Sequence, residues 1–367
     1  MNNNMHPLDS LSVDEIKKSV NIFKSDNNSD ENSVFSYISL EEPDKNFVKN
    51  YKVGDAFSRK TKIIGVDSSS KGFEASIDLN KEKVTSLNVI PDTAGPTYTM
   101  LEIMTAIQLT LENDEYQAAL EKRGITDLSL IQIDPWPGGG ITHEKIKEGH
   151  RALKTISFLK ESPEDNAYAK PISGLISHVD LTDKCIVEIE DQGISNLPEQ
   201  SAKYDAASQE VLRNRPKDIS ITQPDGPGFD VSNNEISWEG WNLRVSIDPI
   251  EGLVIQNLNL NKREIFYRAS MSDTVVPYGS ADPMHSWKAV HDGTVYGFGS
   301  LSNSLTLGCD CLGEIYYFNT NKLNFDGSVE TIKNAICVHE EDYGIQWKHS
   351  HLIGKGHSEV RRSRRLV

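Results

Sequence analysis

Asp292 stands in the run Ser286–Gly299 (SWKAVHDGTVYGFG), between an aromatic-rich stretch and a glycine-flanked segment. A carboxylate in such a setting loses water, its pKa climbs toward neutrality, and it becomes a candidate proton acceptor. Without wider context, an Asp followed by Gly is an ordinary turn residue. Tyr278, in VVPYG, ends an apolar run with a phenolic hydroxyl that needs a partner when buried. Cys309 and Cys311 flank an Asp, so on a strand they would share one face. With Cys337 as the next thiol they do not form a zinc signature. His349 and His351 would also share a strand face, with His339 and His357 near in sequence, and imidazoles so placed suit copper or zinc. Spacing fixes no third ligand, and a polar strand end is the plainer reading. Glu340, Glu341 and Asp342 read as ion-pair partners for the basic run Arg361–Arg365.

The elements that must position these groups fall into two kinds. Ser12 and Glu15 have capping-box spacing at the start of a helix over 11–24, with Val13, Ile16, Val20 and Phe23 on one face. β-rich stretches follow at 34–40, 62–67, 72–79 and 84–90, separated by polar turns. After Pro91–Pro96 a second helix begins near Met100, with Met100, Ile103, Met104, Ile107 and Leu111 at helical spacing. Its later strands, 175–181 and 185–190, echo those of the first unit, as a repeated helix-on-sheet unit or as common hairpin chemistry. Residues 196–228 are rich in proline and polar side chains and read as a linker. Beyond it Trp241, Leu243, Val245 and Ile247 alternate with polar neighbours, and strands are expected at 252–258, 264–269, 294–298 and 314–318. The fold class is therefore α+β: two small helix-on-sheet domains (5–92 and 96–196), a linker (197–228) and a partial β-sandwich (229–367).

The 367 residues carry a formal net charge of −16. Such a surface repels nucleic acid phosphates and draws in small cations. The amino terminus shows no secretory pattern, and the longest apolar segment, near 100–111, is too short and too periodic to cross a bilayer. Four cysteines are too few for a disulfide scaffold, and Cys185 reads as a buried strand thiol. The expected compartment is cytoplasmic or peroxisomal.

Several runs, in order, resemble the copper-containing primary-amine oxidases: MHPLDSLSVDEI (Met5–Ile16), GITDLSLIQIDPW (Gly124–Trp136), AYAKPISGL (Ala167–Leu175), SITQPDGP (Ser220–Pro227), REIFYRASMSDTVVPYG (Arg263–Gly279), LGCDCLGEI (Leu307–Ile315) and NAICVHEEDYGI (Asn334–Ile345). The resemblance implies two cystatin-like domains, then a β-sandwich that houses the active site and forms a homodimer. It implies copper and topaquinone as cofactors, and a primary amine and oxygen as reactants. Asp292 matches the family's catalytic base, which takes the α-proton of the amine. Tyr278 matches the tyrosine that hydrogen-bonds the quinone. Val290 falls at the substrate gate, where a small apolar side chain leaves the channel open. Cys311 and Cys337 match the family's disulfide, which leaves Cys309 as a free thiol.

Two departures accompany the resemblance. The family follows its base with x-Gly-Glu-Tyr, whereas Gly293, Thr294, Val295 and Tyr296 stand here. No Asn-Tyr-Asp/Glu-Tyr quinone motif occurs, and His349 and His351 do not match the copper pair, so the precursor tyrosine and copper histidines are expected beyond Val367. The expectation is a primary-amine oxidase by descent whose chain is inactive alone. The alternative is a non-catalytic remnant serving as a binding or dimerisation module.

Overall fold

Ser12 opens the first helix as its spacing to Glu15 predicts. Its hydroxyl accepts from Glu15 N at 3.2 Å, and the Glu15 carboxylate accepts from Ser12 N at 2.8 Å, which meets two donors that a helix start leaves unpaired. The computed structural model describes residues 5–92, 94–138, 143–200, 203–350, 353 and 358–367, the side chains of 358 and 359 excepted. Helix α1 (Val13–Ser25) buries Ile16, Val20 and Phe23 on an antiparallel meander of β1 (Val34–Leu40), β2 (Lys60–Val66), β3 (Gly72–Asp78) and β4 (Lys83–Val89). Phe35, Ile63, Phe73 and Ile77 face the helix. A short helix, α2 (Lys45–Asn50), interrupts the connection from β1 to β2.

The second unit repeats the meander. Its strands β5 (Ile131–Trp136), β6 (Ala152–Leu159), β7 (Leu175–Asp180) and β8 (Cys185–Asp191) pair in sequence order beneath α3 (Met100–Leu111) and α4 (Asp114–Lys122). Thr99 and Glu102 form a second capping box. The expected apolar stripe on α3 is corrected in one respect: Met100 and Met104 are exposed, while Ala106 and Thr110 are fully buried. The small side chains let the helix approach the sheet closely, and the Thr110 and Thr155 hydroxyls meet at 3.1 Å. Cys185 also departs from expectation. It opens β8 beside a turn and is exposed.

The described residues between β8 and β9 form no strand and one short 3₁₀ turn, Ala206–Ser208. The third unit begins with a five-stranded antiparallel meander of β9 (Phe229–Ser232), β10 (Glu235–Trp238), β11 (Trp241–Asp248), β12 (Gly252–Leu260) and β13 (Arg263–Ser270). Three two-stranded ribbons follow. They are β14 (Val275–Pro277) with β15 (Ala289–His291), β16 (Tyr316–Leu323) with β17 (Val329–Val338), and β18 (Glu340–Ser350) with β19 (Ser358–Leu366). Phe318 and Val338 of the β16–β17 ribbon pack with Phe229, Ile236, Leu243 and Val245 of the large sheet, the two-layer contact of a sandwich. Buried Glu340 ties this unit to the end of the preceding segment. It accepts from Gly228 N and Gln223 Nε2, both at 2.6 Å, and from Trp238 Nε1 at 2.8 Å.

The strand expected over 294–298 is instead a short helix, α5 (Asp292–Tyr296). Asp273 stabilises its start from across the chain, accepting from Gly293 N at 2.8 Å and from the Thr294 hydroxyl at 2.5 Å. Gly297, at φ 77°, ends it in a conformation that side-chain-bearing residues avoid.

Candidate active site

The β14–β15 hairpin sets the positions of the three candidate site residues around it, Tyr278, Val290 and Asp292. Val275 pairs with His291, Val276 with Val290 and Pro277 with Ala289. Beyond each end, Tyr278 N donates to Lys288 O at 2.8 Å and Asp292 N donates to Thr274 O at 2.9 Å. Paired residues share a sheet face, so Asp292, Val290 and Lys288 line up beside Thr274, Val276 and Tyr278. Four residues of strand separate the Asp292 and Tyr278 rungs, roughly 13 Å at the usual rise. No hydrogen bond joins their side chains. Asp292 is half-buried, and its carboxylate accepts from the Thr274 hydroxyl at 3.3 Å.

Tyr296 bridges that gap electrostatically. Burial first, then the charges of Asp292, Asp134 and Tyr278, push its hydroxyl up to about 12. It therefore stays a neutral hydrogen-bond donor across the physiological range. Sequence reading passed over Tyr296 as part of a strand, although its i+4 spacing from Asp292 places the two on one side of a single helical turn. Asp134, at the outer end of β5, was also passed over, and only tertiary packing brings it here. The Tyr278 ring meets Trp136 edge-on at 5.8 Å and stacks on His285 at 6.0 Å. The hairpin is thus docked on the second unit, where Met284 and Trp287 pack with Ile156 and Ile176.

Val290 is 2 % exposed and lines a cavity of about 370 Å³ at the meeting of the three units, with Ile90, Pro96, Tyr98, Arg151 and Val295. Arg151 is held there by an ion pair with Glu102 and by the Tyr98 ring, 4.5 Å away. Thr97 donates to Thr294 O at 2.6 Å, fixing α5 against the link between the first two units.

The remaining candidates divide. Cys309 and Cys311 lie in a turn, not on a strand, and face apart: Cys309 is exposed and Cys311 buried. Cys311 and Cys337, which the resemblance pairs in a disulfide, are neighbours here, each as a free thiol. The Cys311 thiol and the Tyr317 hydroxyl are 3.4 Å apart. Burial, then the hydrogen bond and charge of Cys311, push the Cys337 thiol up, so little Cys337 thiolate is present to react. Oxidation is expected to be slow yet specific: peptide mapping after peroxide treatment should show a Cys311–Cys337 link and an alkylatable Cys309. Closing that loop should add about 3 kcal/mol to unfolding stability, read from urea midpoints.

His349 stacks on Trp347 at 5.7 Å, while His351 and His357 lie outside the described residues. Arg365 and Arg362 pair with Glu341 and Asp342, each at 2.6 Å, as expected for the basic run. Among the described residues one set of three possible metal-ligating side chains converges, His150, Asp180 and Asp183, within 4.8 Å. Lys147 already sits 2.7 Å from Asp183, and one imidazole with two carboxylates does not fit an imidazole-rich copper centre.

Models of the copper amine oxidases match the chain in three successive blocks: the N2 domain over residues 6–90, the N3 domain over 102–209 and the enzyme domain over 230–367. The primary amine oxidase of Arthrobacter sp. (strain P1) is 36% identical over 99% of this chain and 56% of its own length. A copper-containing diamine oxidase of Nicotiana tabacum, described as peroxisomal, is 37% identical over 78% of this chain and 38% of its own. The crystal structure of a copper-containing benzylamine oxidase from Hansenula polymorpha superposes with a TM-score of 0.86 at 25% identity, covering 99% of this chain and 59% of that one. The chain spans about half the length of the curated relatives it matches. Three family blocks in their family order, over well more than half of its residues, establish that the chain belongs to the copper amine oxidases.

Proposed function

We propose that the protein to which this chain contributes oxidises primary amines, turning RCH2NH3+, oxygen and water into an aldehyde, ammonium and hydrogen peroxide. The observation that carries this reading is Asp292 at the start of α5, with Tyr296 one turn on and Tyr278 on the same hairpin face. In it, Asp292 accepts the proton from the amine's α-carbon, and Tyr278 offers its hydroxyl to the quinone. Val290 sets the width of the approach. Topaquinone supplies the electron sink when bound, and copper serves its formation. The described residues do not fit a copper centre, so both groups are assigned to the protein as a whole and no step is drawn through them. The same reading divides the chain into domains at 5–92, 96–196 and 229–367 and places the protein in the cytoplasm or peroxisome. Among the described residues, no helix is long and apolar enough to cross a membrane.

A non-catalytic binding or dimerising module is the second reading, favoured by Thr294 and Val295 standing where the family carries Gly-Glu. Here Thr294 serves α5 through Asp273. The deciding experiment is performed on the polypeptide as its gene encodes it: copper analysis, redox staining for a quinone, and amine-dependent peroxide release. Absence of all three overturns the oxidase and leaves the module.

Homodimerisation belongs to the same proposal. The β18–β19 ribbon leaves Tyr343, Ile345, Trp347 and Val360 exposed, apolar side chains that a second copy pairing with the ribbon would cover. Sedimentation should show a dimer, and Trp347→Glu should shift it toward monomer at micromolar concentration.

A further inference from the structure

Lys288 is 3 % exposed, yet among the described residues its amine has no carboxylate within ion-pair reach and no hydrogen-bond acceptor. Its Nζ lies 4.1 Å from the centre of the Trp136 ring, 5.4 Å from that of Tyr278 and 5.8 Å from that of Trp287. These π faces replace part of the water it has lost. Two buried ring nitrogens next to it, Trp287 Nε1 and His285 Nδ1, also lack partners. Buried polar atoms are ordinarily satisfied, so these two unpaired ring nitrogens beside an amine ringed by aromatic side chains leave hydrogen-bonding capacity for the polar end of a ligand. Lys154 lies 4.7 Å from the Trp287 ring.

We propose that Lys288 is a carbonyl-trapping nucleophile, and that a small aldehyde entering between Trp136, Tyr278 and Trp287 condenses with its ε-amine. The nitrogen lone pair forms the new C–N bond, and the carbonyl oxygen takes up a proton. Loss of that oxygen as water gives the imine, and hydrolysis reverses the sequence. No oxidant or reductant is required. Trp287 Nε1, which has no partner, supplies a donor for the carbonyl oxygen, and the surrounding aromatic rings suit an aromatic or short aliphatic aldehyde.

Electrostatics supports the geometry. Burial lowers the Lys288 pKa, against the opposing charges of Asp134 and Asp282, so more of the amine is uncharged and nucleophilic near neutrality than in an exposed lysine. Burial and then the Lys288 charge lower the pKa of His285, which leaves it a neutral imidazole able to relay the proton. The inference goes beyond the oxidase reading, whose aldehyde product is one source of such a carbonyl. It needs neither copper nor quinone, so it stands or falls separately.

The test is reductive labelling of the folded chain with limiting formaldehyde, and in parallel benzaldehyde, plus cyanoborohydride at pH 7, followed by peptide mapping. Lys288 should be modified faster than exposed Lys81 and Lys122, by about tenfold for each unit its pKa is lowered. Its rate should level off below the ordinary lysine range. Lys288→Arg, which keeps a cation over the rings, should lose this label and leave the others unchanged. Labelling of Lys288 only after unfolding in urea, or no faster than at Lys81 and Lys122, overturns the proposal.

Discussion

Asp292→Asn should lower amine turnover by about 10²–10⁴-fold in the polypeptide that carries the quinone, the range for losing a positioned general base. Asn keeps the size and an acceptor for the Thr274 hydroxyl, whose 3.3 Å bond is the side chain's one hydrogen bond among the described residues. The urea midpoint should therefore move little, which separates lost chemistry from lost fold. A second readout needs no turnover at all. The charge of Asp292 is the largest cause after burial of the raised Tyr296 pKa. Removing it should bring the Tyr296 phenolate in at lower pH in an ultraviolet titration. Peroxide release within threefold of the parent would end the assignment of Asp292 as base, and an unmoved Tyr296 titration would place the two side chains too far apart to work together.

Much of the architecture was legible because local rules and tertiary packing agree. The spacing of Ser12 to Glu15 announced a helix start that the structure builds atom for atom, and alternation marked β1, β3 and β11. Two of the failures share a cause, a partner distant in the chain. Nothing within residues 294–298 says helix, because the carboxylate that holds α5 is Asp273, twenty residues upstream. Met100 and Met104 match the helical period, yet Thr110 takes the buried face through its contact with Thr155. Cys309 and Cys311 face apart because Gly308, at φ 86°, turns the chain between Leu307 and Cys311.

The candidate site divides in the same way. Asp292, Tyr278 and Val290 were nominated through the resemblance of the motifs around them, and the hairpin that aligns them is local. Tyr296, Asp134 and Lys288 were not, because their significance comes from docking the hairpin on β5 of the second unit. Lys288 looks like any surface lysine in SWKAVHD until Trp136, from far upstream, closes over it.

Arg59→Met should cost about 3–5 kcal/mol, the penalty for breaking a buried ion pair and leaving its partner unpaired. Arg59 is 2 % exposed. Its guanidinium donates to Glu15 Oε1 at 2.7 Å and Oε2 at 3.3 Å, to Pro7 O at 3.1 Å, to Asp9 O at 2.8 Å and to Ser10 O at 3.2 Å. It thus folds the amino-terminal segment over the start of α1. Asp9 in turn pairs with Arg244 of β11, so the damage should reach the third unit as well. Lysine should not rescue the loss, because a point charge on a flexible stem cannot span acceptors set around a planar fork. The pH dependence gives a sharper test. Burial raises the Glu15 pKa, but the hydrogen bond and charge of Arg59 outweigh it and hold the carboxyl below its usual value. A depressed folded-state pKa contributes stability that is present above the unfolded pKa and is lost as pH falls through the folded one. Without Arg59 the burial remains and the Glu15 pKa moves up, so protonation relieves the unpaired charge. Urea midpoints of parent and variant should therefore differ widely at pH 7 and converge below the ordinary glutamate range, and a gap that stays constant with pH would show that Glu15 is not where the lost stability resides.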